Sequence, residues 1–248
     1  MRMLCCLALL LLPLTLAAKE TVRIASLYWP PYSGEQLERQ GASLAVLRAA
    51  LENRGMTLQV DFYPWTRTVA IVHDPKSPYV GYGPEYYSPK VIAEFACTQP
   101  VGTSPLGFMQ RSDHPVQWKT LADLSAYRIG VVRDYVNTLE FDYAVANGQL
   151  KVDAVVDDLS NLKKLIYKRL DLAVIDPNVL AYLFATDKTV HRYRGIIEMN
   201  PSILENKQLF FCFRKTPDMM ALVKQINLGL QAIDAKGIFE EYLKRNLE

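Results

Sequence analysis

The stretch VRIASLYWPPYSG, residues 22–34, changes its character halfway along. Its first half is rich in β-branched and other apolar residues and predicts a short strand. The sequence Trp29-Pro30-Pro31-Tyr32 follows, and because adjacent prolines cannot continue a strand, it predicts a loop. Apolar side chains at Leu44, Leu47 and Leu51 then recur at the spacing of a helix face. Strand, loop and helix in this order begin an α/β fold.

The same alternation of strands and helices continues to the end of the chain. Pro64 and Pro217 mark helix starts, Asp158 is a candidate helix cap, and Gly237 is predicted to break the last helical stretch. The predicted strands cover residues 58–62, 79–83, 127–132, 151–156, 170–175 and 208–214. The predicted helices cover residues 64–72, 138–146, 159–169, 178–185, 217–235 and 238–245. This order predicts two compact α/β units without a low-complexity linker between them.

The composition is that of an ordinary globular protein. The chain has 248 residues, of which 50% are apolar and 22% are charged, and its formal net charge is +2. A nucleic-acid-binding protein usually carries a clear basic excess, so this balance argues against a nucleic-acid partner. The sequence contains no Gly-rich phosphate loop, no Ser/Cys–His arrangement and no metal-ligand spacing. It therefore predicts neither a cofactor nor a metal site.

Residues 1–18 have the pattern of a secretory signal peptide. Arg2 supplies a short positive start, residues 4–17 are almost wholly apolar, and Leu16-Ala17-Ala18 supplies small residues for cleavage before Lys19. A transmembrane anchor is the alternative, but about 20 apolar residues are needed to span a bilayer and this run is shorter. This pattern predicts cleavage after Ala18 and a secreted protein.

The secreted chain keeps two of its four cysteines. Cys97 and Cys212 are far apart in the sequence, so they form no CxxC redox or zinc pattern. An even pair in an oxidising compartment is a candidate disulfide, and the alternative is two buried free thiols that pack as small apolar residues.

Four stretches, taken in order, resemble a known family. Trp29-Pro30-Pro31-Tyr32, Tyr63-Pro64-Trp65-Thr66-Arg67, the residues 169–176 and Phe211-Cys212-Phe213-Arg214-Lys215 are similar to motifs of the bacterial extracellular solute-binding proteins of family 3. The resemblance covers nearly all of residues 20–248. It implies a two-lobed, type II periplasmic-binding-protein fold of the α/β class, in which each lobe is a mostly parallel sheet flanked by helices.

The resemblance also implies where the lobes begin and end. Lobe 1 is predicted to comprise residues 19–100 and 208–248, and lobe 2 residues 101–207. Two crossing strands, near residues 98–104 and 204–208, would form the hinge. In such a fold these strands run side by side, which would bring Cys97 and Cys212 within disulfide distance.

Function follows from the resemblance as an expectation. A periplasmic, monomeric solute-binding protein of this kind captures a small polar ligand, here an amino acid or a related zwitterion or amine, and delivers it to the permease of an ABC transporter. A ligand-sensing module for a membrane receptor is the alternative. A dehydratase-like periplasmic enzyme on the same scaffold is a weaker alternative. The protein is therefore expected not to be an enzyme.

The candidate ligand-binding residues depart from the family pattern. The stretch 83–90 lacks the arginine that usually clamps a ligand carboxylate after the third strand, and Arg133-Asp134-Tyr135 replaces a Gly-Thr-Thr turn. Arg133, with Arg67 as a second cation, then becomes the candidate for holding a carboxylate. Asp176 could cap a helix, hold an ammonium group, or do both. The full candidate set is Trp29, Tyr32, Arg67, Glu85, Tyr86, Tyr87, Arg133, Asp134, Tyr135 and Asp176.

Overall fold

Across residues 19–247, which the computed structural model describes, strands and helices alternate along the chain. The strands in this range are β1 (Thr21–Ser26), β2 (Thr57–Phe62), β3 (Gly81–Tyr86), β4 (Phe95–Cys97), β5 (Gly102–Arg111), β6 (Ile129–Val132), β7 (Val152–Val155), β8 (Leu172–Ile175) and β9 (Ile197–Arg214). The α-helices are α1 (Ala42–Asn53), α2 (Trp65–His73), α3 (Pro89–Glu94), α4 (Leu139–Ala146), α5 (Asp158–Ile166), α6 (Pro177–Thr186), α7 (Pro217–Ala232) and α8 (Ala235–Leu247). The predicted signal peptide, residues 1–18, lies outside this range.

One continuous sheet contains two parallel halves. Its strand order is β2-β1-β3-β9-β5-β8-β6-β7, and β4 pairs with β9 beside this path. Strand β1 is parallel to β2 and β3, and β6 is parallel to β7 and β8. We call the first group, with α1 to α3, α7 and α8, the first lobe, and the second group, with α4 to α6, the second lobe. The α/β class and the two parallel units predicted from the sequence are confirmed.

The two lobes are joined by an antiparallel pair of strands, which we call the crossing ribbon. Strands β5 and β9 pair from Gly102 opposite Leu209 to Arg111 opposite Ile197. At one end β9 continues into the first lobe by pairing with β3, and at the other end β5 pairs with β8. The ribbon is longer than the crossing segments that the sequence predicted, because both strands extend well into the second lobe. The exact lobe boundaries stay a prediction.

The predicted disulfide joins β4 to β9 in the first lobe. Cys97 on β4 lies directly opposite Cys212 on β9, with 4.0 Å between the Cα atoms, and the two sulfur atoms are bonded. Cys212 and its sequence neighbours Phe211 and Phe213 are all fully buried, whereas Cys97 is half-buried. The covalent link therefore packs against the core of the first lobe.

Two local predictions about helix ends are wrong. The carboxylate of Asp157, not of Asp158, accepts the backbone N–H of Ser160 and caps α5. Gly237 lies inside α8, where its N–H donates to the Asp234 carboxylate at 2.9 Å, so the break between the last two helices falls before Gly237. No helix within residues 19–247 is both long and apolar enough to cross a membrane.

Candidate functional site

The cleft between the lobes receives the carboxyl ends of parallel strands from both sides. Ligands of open α/β sheets bind at such ends. In the first lobe, the Trp29 loop follows β1, and Glu85 and Tyr86 end β3. In the second lobe, Tyr135 follows β6 and Asp176 follows β8. The fold therefore brings together residues that are more than a hundred positions apart in the sequence.

A buried hydrogen-bond network, centred on Asp176, joins the lobes. The Tyr32 hydroxyl donates to Asp176 Oδ2 at 2.7 Å and accepts the Asn178 amide at 2.8 Å. The Ser104 hydroxyl also donates to Asp176 Oδ2, and Tyr86 Oη lies 2.5 Å from Ser104 Oγ. Asp176 Oδ1 in turn accepts the backbone N–H of Asn178 at 2.6 Å and caps α6. Asp176 therefore caps a helix and faces the cleft at the same time.

A second contact between the lobes lies at the start of α2. The Trp65 indole N–H donates to the backbone carbonyl of Asp134 at 2.9 Å, and the Thr66 hydroxyl donates to the Asp134 carboxylate at 2.5 Å. Asp134 has a positive φ of 63°, a conformation that aspartate tolerates better than most residues. The turn after β6 is therefore attached to the first lobe by both its backbone and its side chain.

Four aromatic rings, which we call the aromatic box, surround the space between these contacts. The Trp29 ring centroid lies 5.8 Å from that of Tyr86 and 6.4 Å from that of Tyr135, and the Trp65 centroid lies 5.9 Å from that of Tyr135. The interplanar angles of 84°, 78° and 86° make all three contacts edge-to-face. The box cavity that these rings line has a volume of about 20 Å³, enough for one water molecule, and also touches Glu85.

A second cavity of similar size, which we call the acid cavity, adjoins the box cavity. It shares Trp29, Tyr86 and Tyr135 with the box cavity and is further lined by Asp158 and Asp176. An outer groove of about 440 Å³ extends from Trp29, Tyr135 and Asp158 toward α6. The groove is within the size range of small-molecule sites, whereas the acid cavity, like the box cavity, has room for no more than one water molecule.

Three buried carboxyl groups line the two cavities, and burial raises the pKa of each. The pKa of Glu85 rises to about 8, although hydrogen bonds from the Tyr86 N–H and the Tyr82 hydroxyl oppose the rise. The pKa of Asp158 rises to about 7, mainly through burial and secondarily through the neighbouring carboxylates of Asp157 and Asp176. The pKa of Asp176 rises to about 6. Ionised carboxylates are thus disfavoured in the closed cleft.

Solved structures resemble this chain, although the sequence matches no protein-family model and no curated protein. A histidine kinase sensor domain with similarity to periplasmic binding proteins is 17% identical, with 92% of this chain and 96% of that chain covered and a TM-score of 0.75. The GluR0 ligand-binding core from Nostoc punctiforme, in complex with L-glutamate, is 18% identical, with 91% and 98% covered and a TM-score of 0.71. The amino acid ABC transporter substrate-binding protein AbpA from Streptococcus pneumoniae, bound to L-arginine, is 9% identical, with 92% and 96% covered and a TM-score of 0.71.

The chain has the two-lobed fold of the periplasmic binding proteins. The fold class predicted from the sequence is confirmed. Identities of this size show the fold alone.

The cleft contains most of the predicted site residues but leaves three of them outside. Arg133 is exposed and lines neither cavity. Its backbone N–H donates to the Val155 carbonyl just after the end of β6. Tyr87 is 52% exposed because consecutive residues of an extended chain point to opposite sides and Tyr86 points inward. Arg67 lies two positions after Trp65 on α2, so it faces away from the cleft, and its guanidinium lies 4.9 Å from the Tyr63 ring centroid. The assignment of a ligand carboxylate to Arg133 or Arg67 therefore stays a prediction, since neither residue lines the two cavities in this structure.

Two cleft residues are absent from the sequence-based set. Trp65 belongs to a stretch that carries the family resemblance, but its apolar ring is equally typical of a core residue. Asp158 looks like a helix cap because an amphipathic pattern follows it. The two consecutive aspartates after β7 were the available signal, since the carboxyl end of a parallel strand faces the cleft.

We expect the unliganded protein to lose stability as the pH rises from about 5 to 8. Glu85 has a pKa of about 8 when folded, well above the ordinary value of an exposed glutamate, so the folded protein holds a proton that the unfolded chain has released. Stability therefore falls with rising pH through this window, by on the order of 4 kcal/mol for this group. Urea unfolding at several pH values measures the slope.

Glu85→Gln should flatten that slope, because the amide has a similar shape and does not ionise. The exposed Glu140→Gln is the matched control and should keep the parental slope. An unchanged slope in Glu85→Gln would mean that Glu85 ionises without penalty, as it would in an open cleft.

Proposed function

We propose that this protein is a periplasmic solute-binding protein that captures a small polar ligand between its lobes and delivers it to an ABC transporter. The observation that carries the proposal is the composition of the cavity walls. Trp29, Trp65 and Glu85 come from the first lobe, whereas Tyr135 and Asp158 come from the second. A ligand in these cavities would touch both lobes and would bind the closed form more tightly than the open form.

Closure follows from that difference in affinity. The lobes are connected by the two strands of the crossing ribbon, and their other contacts in the cleft are the few polar and aromatic ones described above. A ligand that binds only when both walls are present shifts an open–closed equilibrium by its differential affinity. The crossing ribbon supplies the hinge for this motion.

Two measurements on the secreted chain, residues 19–248, test the proposal. A thermal-shift screen against amino acids, small carboxylates, amines and sugars should find compounds that raise the melting temperature, because a ligand that binds only the folded state stabilises it. Small-angle scattering with a saturating hit should then give a smaller radius of gyration than the free protein. An unchanged radius would contradict closure.

A sensing role is the second candidate. Among the compared structures, a histidine kinase sensor domain shares this fold as fully as a transporter substrate-binding protein does. The cleft serves either role, and the difference lies in the membrane partner. A permease and an ATPase encoded beside this gene would support delivery, whereas a kinase or cyclase there would support sensing.

We propose binding and not catalysis, because the compared structures are ligand-binding and sensor proteins. Glu85 and Asp158 could supply acid–base groups in a dehydratase-like alternative. Turnover of any hit from the screen, followed by mass spectrometry, would favour that alternative.

A further inference from the structure

We infer that the ligand is an organic cation without a carboxylate group, such as the amine that remains when a basic amino acid loses its carboxylate. The inference rests on the proposed function, since it names the ligand class for the same cleft. It departs from the zwitterion expected from the sequence. Four observations carry it, each independent of the compared structures.

The charge of the cleft is one-sided. The residues that line the box cavity, the acid cavity and the outer groove include five acids and, within the described part of the chain, no lysine or arginine. The protein as a whole has a formal net charge of +2, so this acidity is local to the cleft. The five acids are Glu85, Asp157, Asp158, Asp176 and Asp187.

Three of these acids are buried and form no ion pair, although the positive charge of Lys207 acts on Glu85 from nearby. Glu85, Asp158 and Asp176 are 6%, 8% and 2% exposed, and none of them forms an ion pair with any residue between 19 and 247. Burying a carboxyl group without a counter-charge is costly unless the group is protonated or a cation is supplied. An ammonium or guanidinium group on a ligand would supply that cation.

The aromatic box suits a cation as well. The rings of Trp29, Trp65, Tyr86 and Tyr135 enclose one cavity, and aromatic rings attract organic cations most strongly where water is excluded. Glu85 lies in the wall of the same cavity. Rings and carboxylate together would surround a positively charged group on several sides.

No lysine or arginine between residues 19 and 247 lines the box cavity, the acid cavity or the outer groove, where it could hold a ligand carboxylate. Arg67 and Arg133 lie outside both cavities, and Lys207 lines neither of them, since its Nζ lies 5.5 Å from the Tyr86 ring centroid and 3.4 Å from Glu205. Helix N-termini are the usual alternative site for an anion. Here Asp157 and Asp176 already occupy the N-termini of α5 and α6 with their own carboxylates.

Matched pairs of compounds test the inference directly. Arginine and agmatine, lysine and cadaverine, and ornithine and putrescine differ within each pair only by the carboxylate. Calorimetric titration of the secreted chain should give, for at least one pair, a dissociation constant at least tenfold lower for the amine than for the amino acid. Glu85→Gln and Asp158→Asn should each weaken binding of that amine at least tenfold, whereas the exposed Glu140→Gln should leave it unchanged. Circular dichroism confirms that each variant is folded.

The outcomes separate the inference from the proposed function. If an amino acid binds more tightly than its amine, or if Arg133→Ala abolishes binding, a carboxylate is being held and the inference is wrong while the proposed function stands. If sugars or dicarboxylates bind and none of the six compounds does, the inference is also wrong and the proposed function again stands. If no compound of the whole screen binds, the proposed function fails and the inference fails with it.

Discussion

Removing the Cys97–Cys212 disulfide is expected to lower the free energy of unfolding by about 4–5 kcal/mol. The bond closes a loop with a sequence separation of 115 residues, and in the chain-entropy treatment a loop of this length restricts the unfolded chain by about that amount. Urea unfolding of the double variant Cys97→Ala/Cys212→Ala measures the loss.

Reductant provides the matched control for this prediction. Dithiothreitol should lower the stability of the parent protein to that of the double variant and should leave the double variant unchanged. Two reactive thiols in the unfolded, unreduced parent would show that the bond is absent. Equal stability of parent and variant would show that the crosslink adds nothing to the packing around Cys212.

Asp176→Ala is expected to cost about 3–7 kcal/mol of stability. The carboxylate accepts the hydroxyls of Tyr32 and Ser104 and caps α6. Its removal leaves buried donors without an acceptor, each at a cost of about 1–3 kcal/mol, and removes a helix cap worth about 1 kcal/mol. Because both hydroxyls belong to segments outside α6, the variant should also shift the protein toward the open form.

Asp157→Ala is the matched control, because it removes the cap of α5 without removing a cross-lobe hydrogen bond. Urea unfolding should give a loss of about 1 kcal/mol for this variant. Equal losses in the two variants would mean that Asp176 acts only as a helix cap. A radius of gyration that is the same for Asp176→Ala and the parent would argue against its role in holding the lobes together.

The sequence predicts the parallel units well and the crossing ribbon poorly. The periodicity of apolar residues is a local feature of the sequence. It predicts the alternating strands and amphipathic helices that the fold contains. Strands β5 and β9 contain Pro105 and Pro201, and proline is normally evidence against a strand. The long pairing of these two strands is set by the contact between distant segments, and no local pattern reveals it.

The cleft residues show a similar division. Trp29, Tyr86 and Asp176 could be predicted because each lies at or just after the carboxyl end of a strand. Whether a neighbouring side chain points into the cleft depends on how the chain twists there, and one position separates Tyr86 inside from Tyr87 outside. Arg133 was a reasonable candidate on charge and position, but its side chain is exposed in the folded protein.

Because the chain crosses twice between the lobes, the lobe that is synthesised first is completed last. Strands β1 to β3 emerge early, but β3 has no partner on its outer side until β9 is made, and α1 has no cover until α7 and α8 follow. All the parallel strands of the second lobe are made before that point. As chains fold from the N-terminus during synthesis, β3 remains an open sheet edge throughout this interval. Cys97 is likewise without its partner until β9, which carries Cys212, is made, so the disulfide can form only after the strands of the second lobe have been synthesised.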